Sequence, residues 1–283
     1  MADHSHEPHI EHHGPTHPVS DRPMIEYRDV HKTFDVPVLD GVSLTVHKGE
    51  TLALVGPSGT GKSVLLKTTI GLIIPDAGDV IVDGQSVVSA DVEQLESIRH
   101  KARYVFQGAA LFDSMTVYEN VALGIDEPTA KKLGRPEVLR RVVGALEDVN
   151  LDPHVVINKL PSELSGGMRK RVGLARGIVG EPQILLYDEP VTGLDPVNTA
   201  AVGRLILDIA ARTRVTSLIV THDIEGALPI SDRIALLQGG KIRFVGTPDE
   251  FVRNDELLVR AFAHRSEAEV AAELLAKGEF SLS

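Results

Sequence analysis

The sequence predicts an α/β fold: a buried, largely parallel sheet around one phosphate-binding loop, with a mostly helical segment inserted between two of its strands. Three observations predict it. Gly56-Pro57-Ser58-Gly59-Thr60-Gly61-Lys62-Ser63 fits the pattern G-x-x-x-x-G-K-[ST]. Ile184-Leu185-Leu186-Tyr187 is an apolar run that ends in two carboxylates, Asp188 and Glu189. Between about 113 and 180 the apolar positions recur at helical rather than alternating spacing.

The flanks of the first motif support its reading as a phosphate loop. Thr51-Leu52-Ala53-Leu54-Val55 precedes it as a buried parallel strand should, and Ser63 to Ile70 follows as a helix. The glycines let backbone N–H groups wrap around an anion, and the helix N-terminus adds partial positive charge. Lys62 brings a full charge to the β- and γ-phosphates of a nucleotide, and the Ser63 hydroxyl is a ligand for Mg²⁺. In the second motif the strand end delivers acids to the same site, as open α/β sheets do. Asp188 is the expected holder of Mg²⁺ through water and Glu189 the expected base for an attacking water. A strand ending in a solvated acidic turn is the alternative.

Composition narrows the class. The chain has 283 residues, enough for one large domain with subdomains. It has no Cys, so disulfides are excluded. A net charge of −11 argues against a general nucleic-acid binder. No apolar run approaches the ~18 residues of a membrane span, and the N-terminus is polar rather than signal-like, so any membrane span is expected from another chain. Residues 1–23 read as a disordered, low-complexity tail holding six of the twelve His: His4, His6, His9, His12, His13 and His17. A metal-binding arm is the alternative, but nothing there fixes a coordination geometry.

The remaining elements follow in order. Ile25–Val30 and Val42–Val46 alternate as strands, with Phe34 between them, where an aromatic ring can stack on a purine. Val80–Val82 and Tyr104–Phe106 are short strands, the second ending at Gln107, an amide placed to reach Mg²⁺ or water. Pro136 opens a helix with Val138, Leu139, Val142, Val143, Leu146 and Val149 on one face. Ser165 is a good N-cap for a helix from Met168 to Val179, and Gly166-Gly167 leave its N-terminus open to an anion. Gly193-Leu194-Asp195-Pro196 is a turn and Thr199–Ala211 a helix. Val215–Val220 is a buried strand ending near His222, within reach of a γ-phosphate. Arg233–Leu237 and Lys241–Val245 form a hairpin, and from Pro248 to about Gly278 the chain reads as helical.

Taken together, residues 24–262 resemble the ATP-binding-cassette (ABC) ATPases: a P-loop NTPase core with an antiparallel β subdomain and a helical subdomain. The resemblance rests on order: Phe34, the loop at 56–63, Gln107, Leu164-Ser165-Gly166-Gly167-Met168, Asp188-Glu189, Gly193-Leu194-Asp195, then His222. It implies ATP and Mg²⁺ as cofactors and the roles of A-loop, Walker A, Q-loop, signature, Walker B, D-loop and H-switch for these segments. It also implies a head-to-tail dimer of two copies, with Ser165, Gly166, Gly167 and Asp195 of one copy serving the nucleotide of the other. Met168 stands where Gln is commoner, Thr192-Gly193 where Ser-Ala is typical, and Phe34 where Tyr is commoner.

Segments 107–120, 166–176 and 188–196 look like those of the Mla/MCE-type lipid transport ATPases. That branch implies a separate integral-membrane permease, an MCE-domain partner, a place on the cytoplasmic face of a bacterial inner membrane, and phospholipid or other hydrophobic cargo. The competing reading is a soluble ABC ATPase acting on nucleic acid or ribosomes. It is disfavoured by the acidic charge, the single phosphate loop and the lack of a long insertion. Two further expectations concern interfaces. The apolar set Ala109, Ala110, Leu111, Phe112, Met115, Val117 and Tyr118 reads as a permease contact, or alternatively as core of the helical subdomain. Residues 263–283 read as a helical extension packing on the cassette or its second copy.

Overall fold

The computed structural model describes residues 20–255 and residue 259. The chain enters through two long antiparallel strands, β1 (Pro23–Thr33) and β2 (Pro37–His47), then β3 (Thr51–Val55) and α1 (Lys62–Thr68). Next come β4 (Ala77–Val82), β5 (Gln85–Ser86), α2 (Val92–Lys101) and β6 (Ala102–Val105). A run of helices follows: α3 (Val117–Ala122), α4 (Glu127–Leu133), α5 (Arg135–Asp148), α6 (Pro153–Val156) and α7 (Gly166–Ile178). The chain then returns to sheet with β7 (Ile184–Asp188), α8 (Pro196–Thr213), β8 (Thr216–Thr221), α9 (Ile224–Ala227), β9 (Arg233–Gln238), β10 (Lys241–Gly246) and α10 (Pro248–Val252).

Two sheets result. One is antiparallel, in the order β2-β1-β4-β5; the other runs β10-β9-β3-β8-β7-β6, parallel except for the β10 edge. Every residue of β3, β7 and β8 is buried, which explains why β3 and β7 are nearly unbroken apolar runs and why β8 has Leu218-Ile219-Val220 at its centre. The antiparallel sheet and α1 pack on one face of the parallel sheet, sharing a core that includes Tyr27, Leu39, Leu52, Leu65, Leu186 and Val220. The helical subdomain and α8 close on the other face around Val121, Val142, Leu146, Val172, Tyr187 and Ile206.

Several boundaries differ from the sequence reading. β6 stops at Val105, so Phe106 and Gln107 lie beyond the strand. Leu139 is 46% exposed, because the buried face of α5 is formed by Val138, Val142, Ala145 and Leu146. Gly166 and Gly167 form the first turn of α7 rather than preceding it. The helix from Pro248 is interrupted after Val252: Arg253 caps it, and Asn254 and Asp255 are not helical; beyond them only Val259, which is helical, is described, so the rest of that expectation lies outside the described residues. α2, with its Asp91–Gln94 capping box, had no counterpart in the sequence reading, because only Ile98 of it is buried and its apolar periodicity is weak. The tail through residue 19 and the extension at 263–283 lie outside the described residues.

Candidate functional site: the strand ends around the phosphate loop

The order β3-β8-β7 puts the C-terminal ends of three parallel strands side by side, with Val55 opposite Thr221 and Asp188 opposite Val220. Whatever follows each strand therefore meets in one crevice. After β3 comes the phosphate loop. Gly56 has φ +151°, and a Cβ there would lie 2.1 Å from the Leu237 carbonyl oxygen, so only glycine fits. Gly61 has φ +96°, and its Cβ would meet Val38 Cγ1 at 2.8 Å. Val38 belongs to β2, so the antiparallel sheet presses directly on the loop. The turn before β2 carries Phe34, whose ring is 56% exposed, with Lys32 Nζ 5.4 Å from its centroid. Pro57 and Thr60 brace the loop through a hydrogen bond from Thr60 Oγ1 to the Pro57 carbonyl, 2.9 Å, while Ser58 and Gly59 are exposed at its tip.

Lys62 is 5% exposed. Its Nζ donates to the carbonyls of Gly56 at 2.7 Å and Pro57 at 2.9 Å. A buried ammonium in a cradle of backbone is a strong site for an anion, because phosphate oxygens offer it a full counter-charge. The next residue, Ser63, donates its hydroxyl to Asp188 Oδ1 at 2.6 Å. A hydroxyl and a carboxylate at this separation are hard oxygen donors, the set Mg²⁺ takes when phosphates complete its coordination. Among the described residues no group of three or more His, Cys, Asp or Glu forms a metal cage.

Glu189 follows Asp188 with φ +49°. A non-glycine residue there costs roughly 1–3 kcal/mol of strain, and such strain collects at functional sites. The left-handed turn aims the side chain back into the crevice. Oε2 is 2.9 Å from His222 Nδ1 and accepts from Thr192 Oγ1 at 3.0 Å and Thr221 Oγ1 at 3.4 Å. The carboxylate is thus held by Thr192 from the loop after β7 and by Thr221 and His222 at the end of β8, in a residue only 9% exposed. Burial holds the Lys170 ammonium below its usual range, partly offset by Glu189; its Nζ donates to the Thr192 carbonyl.

Other expected residues lie around this centre rather than in it. Gln107 is exposed, and among the described residues no hydrogen bond ties it to Ser63 or Asp188. Ser165 caps α7, accepting from Met168 N at 3.2 Å; with Gly166 it is exposed at the helix start, on the helical subdomain rather than on the strand ends. Gly167 abuts α8, since a Cβ there would lie 3.1 Å from Asn198 Oδ1. Asp195 caps α8 through Val197 N and Asn198 N and takes Asn198 Nδ2 at 2.5 Å. Those bonds from Asn198 hold its carboxyl below the usual range. Of the apolar set after Gln107, Ala109 and Val117 are core and Leu111 and Tyr118 pack partly against it, while Phe112 is 54% exposed.

Sequence reasoning missed Tyr104. Its hydroxyl donates to Asp188 Oδ2 at 2.6 Å. Burial, then the bond to Asp188, pushes its phenol well above the ordinary value, so it stays protonated and a donor. The only signal was a hydroxylated aromatic on a strand beside Asp188, and strand order is not written in the sequence. Thr221 and Thr192 were likewise read only as parts of a strand end and a loop.

Residues 39–192 match the ABC transporter family, more than half of the chain. The chain belongs to the ABC transporter family. It is 42% identical over 239 residues to the "Probable ribonucleotide transport ATP-binding protein mkl" of Mycobacterium bovis, covering 84% of this chain and 66% of that one. It is also 42% identical over 228 residues to the "Sulfate/thiosulfate import ATP-binding protein CysA" of Caulobacter vibrioides, covering 80% and 65%. The chain thus spans about two thirds of the length of these relatives. Among solved structures, it resembles a dimeric ATP-binding cassette in a post-hydrolysis state bound to ADP and Pi, with TM-score 0.72 and 30% identity, covering 80% of this chain and 99% of that one. It also resembles cbiO1 from Clostridium perfringens, part of the ABC transporter complex cbiONQ, with TM-score 0.75 and 26% identity over 89% and 100%. The fold is that of the ABC ATPase cassettes, and the expected core and subdomains are those observed.

Proposed function

We propose that this chain is the ATP-hydrolysing subunit of an ABC transporter, working as a head-to-tail pair and driving a separate membrane permease. The observation that carries this reading is the meeting of Ser63–Asp188 and Glu189–His222 at the C-terminal ends of the central strands, beside the buried Lys62. Phe34 stacks on the adenine, the 56–61 backbone and Lys62 hold the phosphates, and Ser63 and Asp188 hold Mg²⁺, with Gln107 entering its shell from the sheet edge. When bound, the metal neutralises phosphate charge as it develops. Glu189 takes a proton from the attacking water, and His222 holds the carboxylate and the γ-phosphate in register.

The exposed Ser165 and Gly166, the half-buried Gly167 and the capping Asp195 are the half of the site offered to a second copy's nucleotide. This reading is supported by the exposure of Ser165 and Gly166 at the start of α7, and by the dimeric state of the ADP- and Pi-bound cassette named above. No helix among the described residues is long and apolar enough to cross a membrane; the subunit's proposed place, peripheral on the cytoplasmic face of a bacterial inner membrane, follows from the proposed pairing with a permease. Phe112 and the half-buried Leu111 and Tyr118 form the permease contact.

Phospholipid or another hydrophobic molecule is the cargo, passed through an MCE-domain partner. The support is the likeness of segments 107–120, 166–176 and 188–196 to the lipid-transport branch. The relatives' names mention ribonucleotide, sulfate or thiosulfate, and methionine, so cassette identity near 40% does not carry cargo by itself. The test is purification from membranes of the source organism, followed by reconstitution of the captured complex. A co-purifying permease whose presence raises ATP turnover, with ATP-dependent movement of labelled phospholipid between vesicles, is the expected result. Ribosomes or DNA in place of a permease refute the transporter reading; a permease complex that moves no lipid refutes the cargo alone.

A further inference from the structure

We infer that Tyr104 is a positioning residue that fixes the orientation of the Asp188 carboxylate for the metal. The inference rests on the proposed Mg²⁺ site. β6 pairs with β7 in parallel, with Tyr104 opposite Leu186. Side chains two apart on a strand share a face, so a ring at 104 that leans along the strand reaches the side chain at 188. It does so with its hydroxyl: Tyr104 Oη donates to Oδ2 at 2.6 Å while Ser63 Oγ donates to Oδ1 at 2.6 Å. The two oxygens of one carboxylate are therefore held from opposite sides by two different elements.

The arrangement divides the labour between those oxygens. Oδ1 faces Ser63 and the phosphate loop, and would be the oxygen offered to a metal held there with phosphates. Oδ2 is tied to the edge strand. With Ser63 as sole donor, the carboxylate could swing about its terminal torsion, which is soft. With two donors it cannot swing without breaking one bond. Tyr104 is itself immobilised: its ring lies 4.5 Å from that of Phe106, tilted by 43°, and it packs against the core shared by the two sheets. Asp188 is 7% exposed, so little solvent competes for Oδ2. Outer hydrogen bonds of this kind orient metal ligands and typically contribute ~10–100-fold to metal affinity.

The variant is Tyr104→Phe, which keeps the ring and removes only the donor. Two binding measurements separate orientation of the metal ligand from general damage. ATP affinity is titrated in EDTA, and Mn²⁺ bound to the protein–ATP complex is measured by electron paramagnetic resonance. The expected result is unchanged ATP affinity in EDTA and a Mn²⁺ affinity lower by about 10-fold, with a matching rise in the Mg²⁺ needed for half-maximal hydrolysis. Unchanged Mn²⁺ affinity overturns the inference, and so does an equal loss of ATP affinity with and without metal. If wild type itself binds no Mn²⁺ with ATP, the proposed metal site fails instead. Should Tyr104→Phe not fold, wild-type protein labelled with ¹³C at the ζ carbons of its four tyrosines gives the reading. The signals are assigned by replacing Tyr27, Tyr118 and Tyr187 singly with Phe. A Tyr104 shift on adding Mg²⁺ to the ATP complex supports the inference; no metal-dependent shift overturns it.

Discussion

Replacing Glu189 with Gln isolates chemistry from folding. The backbone at 189 is left-handed, φ +49°, and Gln bears the same strain there as Glu. Oε2 accepts from Thr192 Oγ1 and Thr221 Oγ1; both are hydroxyls that can rotate to accept from an amide. The substitution weakens the pairing with His222 Nδ1, 2.9 Å away across a partly exposed pair whose His side chain is 36% accessible, which is ~0–1 kcal/mol. The stability change is therefore at most about 1 kcal/mol. Loss of a general base costs ~10²–10⁴-fold in rate, or ~2.7–5.5 kcal/mol of barrier. The activity effect exceeds the stability effect several times over. Phosphate release is measured at saturating ATP and Mg²⁺, with ATP affinity by calorimetry, melting by dichroism, and mass by light scattering. The expected variant melts near wild type, binds ATP, hydrolyses it at least ~10²-fold more slowly and accumulates as an ATP-bound dimer. Wild-type turnover would refute the assignment of Glu189 as base; lost activity with lost ATP binding would refute the separation of binding from chemistry.

Other substitutions probe the surrounding parts. Lys62→Ala should weaken ATP binding by ~10-fold or more, since a hydrogen bond to a charged group contributes ~1.5–3 kcal/mol; calorimetric affinity equal to wild type would exclude the loop as the phosphate site. Gly56→Ala should unfold the loop or the whole cassette, because its Cβ would sit 2.1 Å from the Leu237 carbonyl oxygen; a wild-type melting curve would contradict that geometry. Ser165→Ala removes the cap of α7 and should lower stability by about 1 kcal/mol, while also reducing ATP-driven dimerisation in the Glu189→Gln background, read by light scattering. Phe112→Asp alters a ring that is already 54% exposed, so it should melt and bind ATP as wild type but fail to co-purify with the permease; retained co-purification would move the contact elsewhere.

What could be read in advance divides along a physical line. The parallel core was legible because strands buried on both faces must be nearly all apolar, as Leu52 to Val55 and Ile184 to Tyr187 are. The loop was legible because anion binding by backbone demands glycines at fixed offsets. α2 was not, since a helix with one buried residue carries little periodicity. Nor was Leu139, apolar yet 46% exposed: helical spacing assigns a face, and only the neighbouring helices decide where that face ends.

The site shows the same division more sharply. Ser63, Asp188, Glu189 and His222 were found one by one, each from the strand or helix end that carries it. Their partnership depends on strand order, which local pattern does not encode. Once β7 lies between β6 and β8, Asp188 must face a residue from each neighbouring element, and the contents of those neighbours decide its environment. On the edge side that residue is Tyr104, which holds Asp188; on the other side Thr221, the last residue of β8, and His222 just after it hold the adjoining Glu189. In the sequence alone Tyr187 is the nearer phenol, one residue from Asp188. Yet Tyr187 points into the opposite core, because successive strand residues face opposite ways. The pleat and the strand order together select which of the two phenols can hold the metal-ligand carboxylate, and only the fold supplies the second of these.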